Sequence, residues 1–178
     1  MSTITSKFTE FVNASNYDVK SHQVEGFEWC YNREKVSADY GGGLLCDEMG
    51  LGKTLEVISL ILGKPKDKTL IIVPANLIHQ WGSEFQKFAP HINIGSEITC
   101  DVVISSYVKA TRNPYFFELR WSRLFLDEAH YIRNAKGKTY QRLIKINAKH
   151  KWCLTGTPLQ NYTKDVSNLL MFIGFPVV

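Results

Sequence analysis

Acidic residues are missing from one long stretch of this chain. The 178 residues include 17 Asp and Glu and 21 Lys and Arg, but no acid lies between Ala129 and Lys164. The other 13 basic residues (21 − 8) accompany all 17 acids, so the remainder carries a formal charge of −4. Two electrostatic halves of this kind indicate a polyanion on the basic side. The eight basic residues of the stretch are Arg133, Lys136, Lys138, Arg142, Lys145, Lys149, Lys151 and Lys164.

Long apolar runs and clustered cysteines are also missing. No apolar run approaches the ~18 residues that span a bilayer, and the first residues lack the apolar core of a secretory signal. We therefore expect a protein of the cytoplasm, the nucleus or a viral factory, neither secreted nor in a membrane. The cysteines, Cys30, Cys46, Cys100 and Cys153, show no C-x-x-C spacing. This pattern predicts buried, reduced cysteines, with a metal site or a disulfide as the alternatives.

Short apolar segments alternate with amphipathic ones, which predicts an α/β domain. The expected architecture is a central, mostly parallel sheet with helices on both faces. By length the chain is one domain, covering 21–178, with 1–20 as an N-terminal extension or helix. The predicted strands are 42–46, 70–73, 102–105, 124–126 and 152–154, and the predicted helices are 54–62, 76–88 and 163–172. Trp81, Trp121 and Trp152 are expected in the core, with base stacking as the alternative.

A glycine loop follows the first predicted strand and opens the first predicted helix. Gly50 and Gly52 permit left-handed backbone and close approach of a ligand, and Lys53 and Thr54 follow them. Such a loop offers backbone N–H groups, a helix N-terminus and a lysine to a polyphosphate. In the pattern G-x-x-x-x-G-K-[ST] the first glycine falls on Asp47 here. The alternative is a glycine-rich turn in an ordinary α/β domain.

Two carboxylates emerge where a later apolar strand ends. Asp127 and Glu128 directly follow the run Leu124–Leu126. Asp127 can hold a Mg²⁺ shell together with the hydroxyl of Thr54, while Glu128 orients an attacking water. Together with Lys53 of the glycine loop, these residues describe the catalytic centre of an ATPase that uses Mg·ATP.

The acid-free stretch also shows helical periodicity. Its basic residues and its predicted core-facing stripe fall on opposite sides of one helix. A solvated basic helix face is the alternative to a nucleic-acid surface, and its position just after the carboxylates favours nucleic acid. The basic side consists of Lys138, Arg142, Lys145 and Lys149, and the core side of Tyr140, Leu143, Ile144 and Asn147.

The order of these motifs resembles the first RecA-like lobe of the Swi/Snf family of superfamily-two DNA translocases, from about residue 17 to 178. The combination of DEMGLGKT with LTGTPLQN is shared by few other ATPases, and Asp47 is itself part of the family's phosphate loop. The resembling segments are 19–23 (adenine recognition), 42–54 (phosphate loop), 72–81 (motif Ia), 104–107 (motif Ib), 127–130 (motif II) and 154–161 (motif III).

The resemblance implies specific residue roles. For the nucleotide these are Gln23 at the adenine, the loop residues Asp47, Glu48, Met49, Gly50, Leu51, Gly52, Lys53 and Thr54, and Mg²⁺ at Thr54 and Asp127. His130, Thr155, Gly156 and Thr157 would couple nucleotide state to DNA, with metal binding the alternative for His130. The backbone of double-stranded DNA would contact Pro74, Asn76, Gln80, Ser105, Ser106, Arg133, Asn134, Lys138 and Arg142, within motifs Ia and Ib and the basic segment 133–151.

Two departures qualify the resemblance. Tyr131 stands where many relatives have a basic residue, and the second lobe with its arginine fingers does not follow motif III. We therefore expect a monomeric single lobe that, without the second lobe, hydrolyses ATP very slowly. The segments 121–134 and 151–158 look closest to the DNA-repair subgroup, although the RING insertion frequent there is missing. Alternative hypotheses are a non-hydrolysing DNA- or partner-binding module and, more remotely, a P-loop kinase or an RNA helicase lobe.

Overall fold

The strands form one parallel sheet in the order β1-β6-β5-β2-β4-β3. The computed structural model describes residues 20–36, 41–48, 50–63, 67–156 and 163–176. Residues 1–19 of the predicted extension 1–20 lie outside this part of the chain. The strands are β1 (Gly43–Leu45), β2 (Thr69–Val73), β3 (Ile94–Gly95), β4 (Val102–Ser106), β5 (Trp121–Leu126) and β6 (Ala148–Leu154).

Helices connect the strands as parallel crossovers require. The predicted helices at 54–62, 76–88 and 163–172 are confirmed within one or two residues. Among the described residues, no helix is both long enough and apolar enough to cross a bilayer. The α-helices are α1 (Ser21–Val36), α2 (Lys53–Leu62), α3 (Ile78–Phe88), α4 (Tyr107–Ala110), α5 (Tyr115–Glu118), α6 (Lys138–Leu143) and α7 (Thr163–Phe172), with 3₁₀ turns at Ala75–Leu77 and Ala129–Ile132.

The sheet is buried on both faces, because side chains of its inner strands alternate between two apolar clusters. In β2, Ile71 and Val73 pack with α1, α2 and α3, while Leu70 and Ile72 pack with α4 to α7. This alternation confirms the predicted helix–sheet–helix architecture. The predicted core tryptophans are confirmed as well, since Trp81, Trp121 and Trp152 are at most 2% exposed.

The carboxyl ends of the strands bring the predicted motifs to one edge. β1 leads into the phosphate loop, β5 into Asp127 and β6 into Thr155. Because β5 lies between β6 and β2, its carboxylates are central on this edge. Open parallel sheets bind ligands at this edge, since loops and helix N-termini converge there.

The predicted basic helix is wrong beyond its first six residues. α6 ends at Leu143, and Lys149 lies in β6 rather than on a helix face. Two tight i→i−3 bonds, Lys145 N–H to Arg142 C=O and Ile146 N–H to Leu143 C=O, close the helix. Asn147, which was predicted to face the core, is exposed, and the neighbouring Ile146 is buried instead. The physical reason is that β6 must already be extended at Ala148 to pair with Trp121 of β5.

The cysteine prediction is confirmed at three positions and wrong at one. Cys30, Cys100 and Cys153 are buried free thiols, whereas Cys46 is exposed. Cys46 follows the last residue of β1, so it stands where the chain leaves the sheet for the phosphate loop. Its place at the loop edge, rather than within the strand, accounts for the exposure.

Candidate nucleotide site

The phosphate loop owes its shape to two glycines. Gly50 and Gly52 have φ angles of 88° and 99°, a region that side chains other than glycine rarely adopt. A Cβ at Gly52 would lie 2.2 Å from Nε2 of Gln23, so any other residue there would also displace the glutamine side chain. Glycine at these two positions therefore gives the loop backbone the freedom that close approach to a phosphate requires.

Lys53 is held by carbonyls of its own loop. Its ammonium donates to the carbonyl oxygen of Asp47 and, at 2.9 Å, to that of Glu48. Gly52 is the N-cap of α2, and Lys53 is the first residue of that helix. A polyphosphate at this helix N-terminus would meet both the ammonium and free N–H groups.

Gln23 ties the start of α1 to the tip of the loop. Its side chain is 2% exposed, and its Nε2 donates to the carbonyl of Leu51 at 3.1 Å. Nε2 of His22 lies 3.0 Å from the same carbonyl, and Oε1 of Gln23 accepts from the N–H of Lys20. The structure thus places Gln23 against the loop, and its contact with adenine stays a prediction.

Asp127 accepts three hydrogen bonds, two at its carboxylate and one at its carbonyl, and its own N–H donates to the carbonyl of Ile72 at 2.8 Å. Its Oδ1 accepts from the N–H of Glu128 at 2.9 Å, and its Oδ2 accepts from Nε1 of Trp81 at 2.8 Å. The hydroxyl of Tyr107 donates to its backbone carbonyl at 2.7 Å. Burial raises the pKa of Asp127, while the bonds from Trp81 and Glu128 and the charge of Lys53 oppose that rise.

Glu128 has left-handed backbone, with φ 51° and ψ 51°. Among the described residues it is the one non-glycine residue with positive φ, a conformation that costs about 1–2 kcal/mol. Such strain concentrates at functional sites. The turn places Oε2 of Glu128 within 3.1 Å of Nδ1 of His130. Sequence reasoning selected Glu128 by its motif, but the backbone conformation left no signal in the sequence.

The loop and the carboxylates line one cavity of about 310 Å³. This cavity unites six residues predicted for nucleotide, metal or catalysis: Gly50, Gly52, Lys53, Thr54, Asp127 and Glu128. Asp47 instead lines a separate cavity of about 350 Å³ against α1. Sequence reasoning did not anticipate the far wall of the nucleotide cavity, which consists of Leu77, Gln80, Glu84, Lys87 and Phe88.

The cavity fits a magnesium ion chemically. Mg²⁺ is usually bound through one or two carboxylates or hydroxyls together with substrate phosphates and water. Thr54 and Asp127 both line the cavity, and the carboxylate of Asp127 is already oriented by Trp81. The predicted pair of protein ligands is therefore present on one wall of the site, beside Lys53.

Glu56 is a buried carboxyl next to the loop that sequence reasoning missed. It is 1% exposed, and one of its oxygens, Oε2, has no hydrogen-bond partner in the described part of the chain. Burial first, and then the charge of Asp47, raise its pKa to about 8, against the opposing charge of Lys53. Only the absence of a side chain at Gly26 leaves room for this carboxyl, since a Cβ there would lie 2.8 Å from it.

The coupling residues are only partly brought together. His130 lies beside Glu128 and the ring of Tyr131, 5.0 Å away. Thr155 is 1% exposed, and its N–H donates to Leu45 C=O at 3.0 Å. The predicted link from His130 to Thr155 and Gly156 stays a prediction. Met49, Thr157 and the rest of motif III through 161 lie outside the described residues.

The residues predicted to contact DNA differ in accessibility. Asn76, Gln80, Asn134, Lys138 and Arg142 are exposed, Arg133 is half-buried, and Pro74, Ser105 and Ser106 are buried. The hydroxyl of Ser106 caps α4 by accepting from the N–H of Lys109 at 3.3 Å. The DNA contacts of all nine stay predictions.

Lys151 corrects the picture of a uniformly outward basic segment. Its Nζ donates to Ile144 C=O at 3.1 Å and lies 5.2 Å from the ring centroid of Phe172. Burial lowers the pKa of this lysine. The cause is its place in β6, whose side chains alternate between the two faces of the sheet and so turn Lys151 inward.

Several known proteins are similar to this chain in sequence or in fold. A family model described as SNF2-related domain matches residues 22–178. Helicase SWR1 of Mycosarcoma maydis is 33% identical over 87% of this chain and 10% of its own length. The probable global transactivator of Orgyia pseudotsugata multicapsid polyhedrosis virus is 34% identical over 85% of this chain and 34% of its own length.

A solved structure agrees with both the sheet and the resemblance. The Sulfolobus solfataricus SWI2/SNF2 ATPase core in complex with dsDNA aligns with a TM-score of 0.80 and 26% identity, over 89% of this chain and 36% of that chain. The chain thus spans well under half of each of these relatives. Because the family model extends over nearly all of the sequence, from α1 to motif III, the chain belongs to the SNF2-related domain family and has the RecA-like fold of the SWI2/SNF2 ATPase core.

Proposed function

We propose that this chain is the Mg·ATP-binding lobe of a double-stranded-DNA-dependent ATPase of the Swi/Snf type. The observation that carries the proposal is the single cavity in which Lys53 and Thr54 meet Asp127 and Glu128. A phosphate loop without the carboxylates would support nucleotide binding alone. Their presence in one cavity supports hydrolysis.

Each residue then has a distinct role. Lys53 and the loop N–H groups hold the phosphates, and Thr54 and Asp127 hold the magnesium ion. When bound, Mg²⁺ neutralises charge on the phosphate oxygens. Glu128 orients the attacking water, and its left-handed backbone turns its side chain away from the line of β5. Catalysis of this kind depends on positioning and charge stabilisation.

The DNA assignment rests on the exposed basic residues and on the family. Lys138 and Arg142 are exposed on α6, which follows the carboxylates in the chain. The Sulfolobus core was solved in complex with dsDNA. Contacts with the DNA backbone would be electrostatic and independent of base sequence. We further propose that the lobe is monomeric and acts in the nucleus or cytoplasm, including that of virus-infected cells.

Slow hydrolysis is part of the proposal. The described residues around the cavity supply no arginine, since its cationic side chains are those of Lys53 and Lys87. An arginine finger is worth 10³–10⁵ in rate in related reactions. The second lobe would bring one, so this lobe alone should bind Mg·ATP weakly and turn it over very slowly.

Steady-state turnover with excess duplex DNA tests the proposal. We expect wild-type turnover below about 0.1 s⁻¹, and we expect Glu128→Gln to lower it further without loss of Mg·ATP binding. Glu97→Gln, which alters an exposed acid outside the cavity, is the matched control. Brisk DNA-stimulated turnover would overturn slow hydrolysis, and no detectable Mg·ATP binding would overturn the function. Binding of duplex DNA with no ATP turnover above background would favour the non-hydrolysing module.

A further inference from the structure

Two aromatic side chains converge on Asp127 from the segments predicted to bind DNA. Trp81 belongs to motif Ia and bonds its carboxylate, and Tyr107 belongs to motif Ib and bonds its carbonyl. We propose that Trp81 and Tyr107 are positioning residues that hold Asp127 for Mg·nucleotide and link that carboxylate to the DNA-facing segments. The inference rests on the proposed function and adds two residues to its mechanism.

Trp81 does more than fill the core. An indole N–H buried in a core needs only some acceptor, and Trp121 satisfies its own with the carbonyl of Phe116 at 3.1 Å. Trp81 instead donates to Oδ2 of the predicted magnesium ligand at 2.8 Å. Because Oδ1 accepts from the N–H of Glu128, both carboxylate oxygens have a fixed direction. The second lone pair of each oxygen is left for an incoming ligand.

Tyr107 fixes the backbone of the same residue. Its ring is 6% exposed, and its hydroxyl reaches the carbonyl of Asp127 at 2.7 Å. The next residue along, Glu128, has left-handed backbone. The carbonyl of Asp127 belongs to the peptide that joins it to Glu128. The hydrogen bond from Tyr107 therefore restrains the orientation of this peptide and, through it, the directions of both acidic side chains.

Each positioning residue has an exposed neighbour. Gln80 precedes Trp81 on α3, is exposed, and lines the nucleotide cavity. The ring of Tyr131, 55% exposed, stacks on that of Tyr107 with centroids 5.0 Å apart and planes 14° apart. A polyanion pressing on the exposed ring of Tyr131 would act on Asp127 through the buried ring of Tyr107. This gives the linkage a physical path of only two side chains.

Magnesium-dependent nucleotide binding tests the inference. The measurement is the affinity for N-methylanthraniloyl-ADP with Mg²⁺ and with EDTA, expressed as the ratio of the two. We expect Trp81→Phe and Tyr107→Phe each to lower that ratio about tenfold, the scale of lost partners of metal ligands, with affinity in EDTA unchanged. Trp152→Phe is the matched control, because it removes an indole bond to a different carboxylate, Glu34, at 3.2 Å.

The outcomes separate this inference from the proposed function. If wild type shows no Mg²⁺-dependent binding, the proposed function fails and the inference with it. If wild type shows it and both variants keep the same ratio, only the inference fails. A purely structural role would lower affinity equally with Mg²⁺ and with EDTA. Should Trp81→Phe not fold, Tyr107→Phe and the wild-type Trp81 indole NMR resonance remain, and that resonance should shift when Mg²⁺ is added to the ADP complex.

A second readout concerns DNA. If the two sites are coupled, duplex DNA changes the affinity for Mg·ADP by a certain factor, and Mg·ADP changes the affinity for DNA by the same factor. We expect Tyr107→Phe to reduce that factor towards one, since it cuts the path from Tyr131 to Asp127. An unchanged factor in Tyr107→Phe, with a factor clearly above one in wild type, would overturn the link to DNA.

Discussion

The strand β5 has ionisable side chains near both of its ends. Those at the amino end form a buried ion pair, whereas those at the carboxyl end line a cavity. At the amino end, Arg123 is fully buried and pairs with Glu34 of α1 through two bonds of 2.8 and 2.9 Å. Asp67 adds a third contact at 3.4 Å. At the carboxyl end, Asp127 and Glu128 line an open cavity instead.

Compensation of charge distinguishes the two ends. Burial would raise the pKa of Glu34, but the hydrogen bonds and charge of Arg123, helped by His150 and Trp152, hold that pKa below its ordinary value. Burial dominates at Asp127, whose pKa is raised although Trp81, the Glu128 N–H and Lys53 oppose the rise. The ion pair between Glu34 and Arg123 therefore stabilises the fold. A carboxylate held only by neutral donors keeps its charge available for a ligand.

The largest expected effect is at the amino end. Glu34→Gln leaves the guanidinium of Arg123 buried beside a neutral group, so we expect the free energy of unfolding to fall by about 3–5 kcal/mol. Urea denaturation at pH 7 measures it. The folded-state pKa of Glu34 is depressed, so its contribution is present at neutral pH and lost as the pH falls below about 4.5, the ordinary value. The wild-type and variant stabilities should converge in acid.

Two further variants sharpen this prediction. Glu25→Gln changes an exposed acid of the same helix and should alter stability by less than about 0.5 kcal/mol. Replacing both partners, Glu34→Leu with Arg123→Met, should recover most of the loss, because a buried apolar pair needs no compensation. Equal losses for Glu34→Gln and Glu25→Gln would refute the structural role of the pair.

Glu56 gives the next effect, because it is a buried carboxyl beside the phosphate loop with no ion-pair partner among the described residues. Its folded-state pKa of about 8 exceeds the ordinary 4.5, so the folded state binds more protons between these values. Stability should therefore decline as the pH rises from about 4.5 to about 8. We expect Glu56→Gln to flatten that profile and to stabilise the protein by about 1–3 kcal/mol at pH 8.

Thermal or urea unfolding across this pH range checks the prediction. At pH 5 the protonated Glu56 and a glutamine carry the same charge, so wild type and Glu56→Gln should have similar stability. Glu97→Gln, at an exposed acid, should leave the profile parallel to that of wild type. A parallel profile for Glu56→Gln as well would show that Glu56 does not titrate in this range.

The smallest effect concerns the surface charges. Lys138→Glu or Arg142→Glu should weaken binding of duplex DNA roughly fivefold and lower the slope of log affinity against log salt by about one. Arg120→Glu makes the same charge change at an exposed residue before the amino end of β5 and should do neither. Fluorescence anisotropy with a labelled duplex at several salt concentrations measures both quantities. Equal effects at Arg120 and Lys138 would mean that DNA does not select the basic segment.

Local patterns predicted five of the six described strands and three of the seven described α-helices, and two explicit predictions failed. Apolar runs identified β2 and β4, and a cap at 163 identified α7. The predicted helix through Lys149 failed because pairing between Ala148 and Trp121 overrides helical periodicity. Cys46 was predicted to be buried because nothing in its sequence neighbourhood marks the residue at which β1 ends.

The amino-acid pattern is sufficient to identify the family, the order of strands and helices and the residue types at the nucleotide site. Those features depend on glycine, lysine and carboxylate at fixed spacing, which is local chemistry. Long-range packing, in contrast, is needed to bring Trp81 and Tyr107 to Asp127 and Arg123 to Glu34. These contacts join residues 20 to 89 positions apart in the sequence, and a parallel sheet creates them only when its crossovers have folded back. The hydrogen bond of Lys151 spans only seven residues, but the direction of its side chain depends on the pairing of β6 with β5.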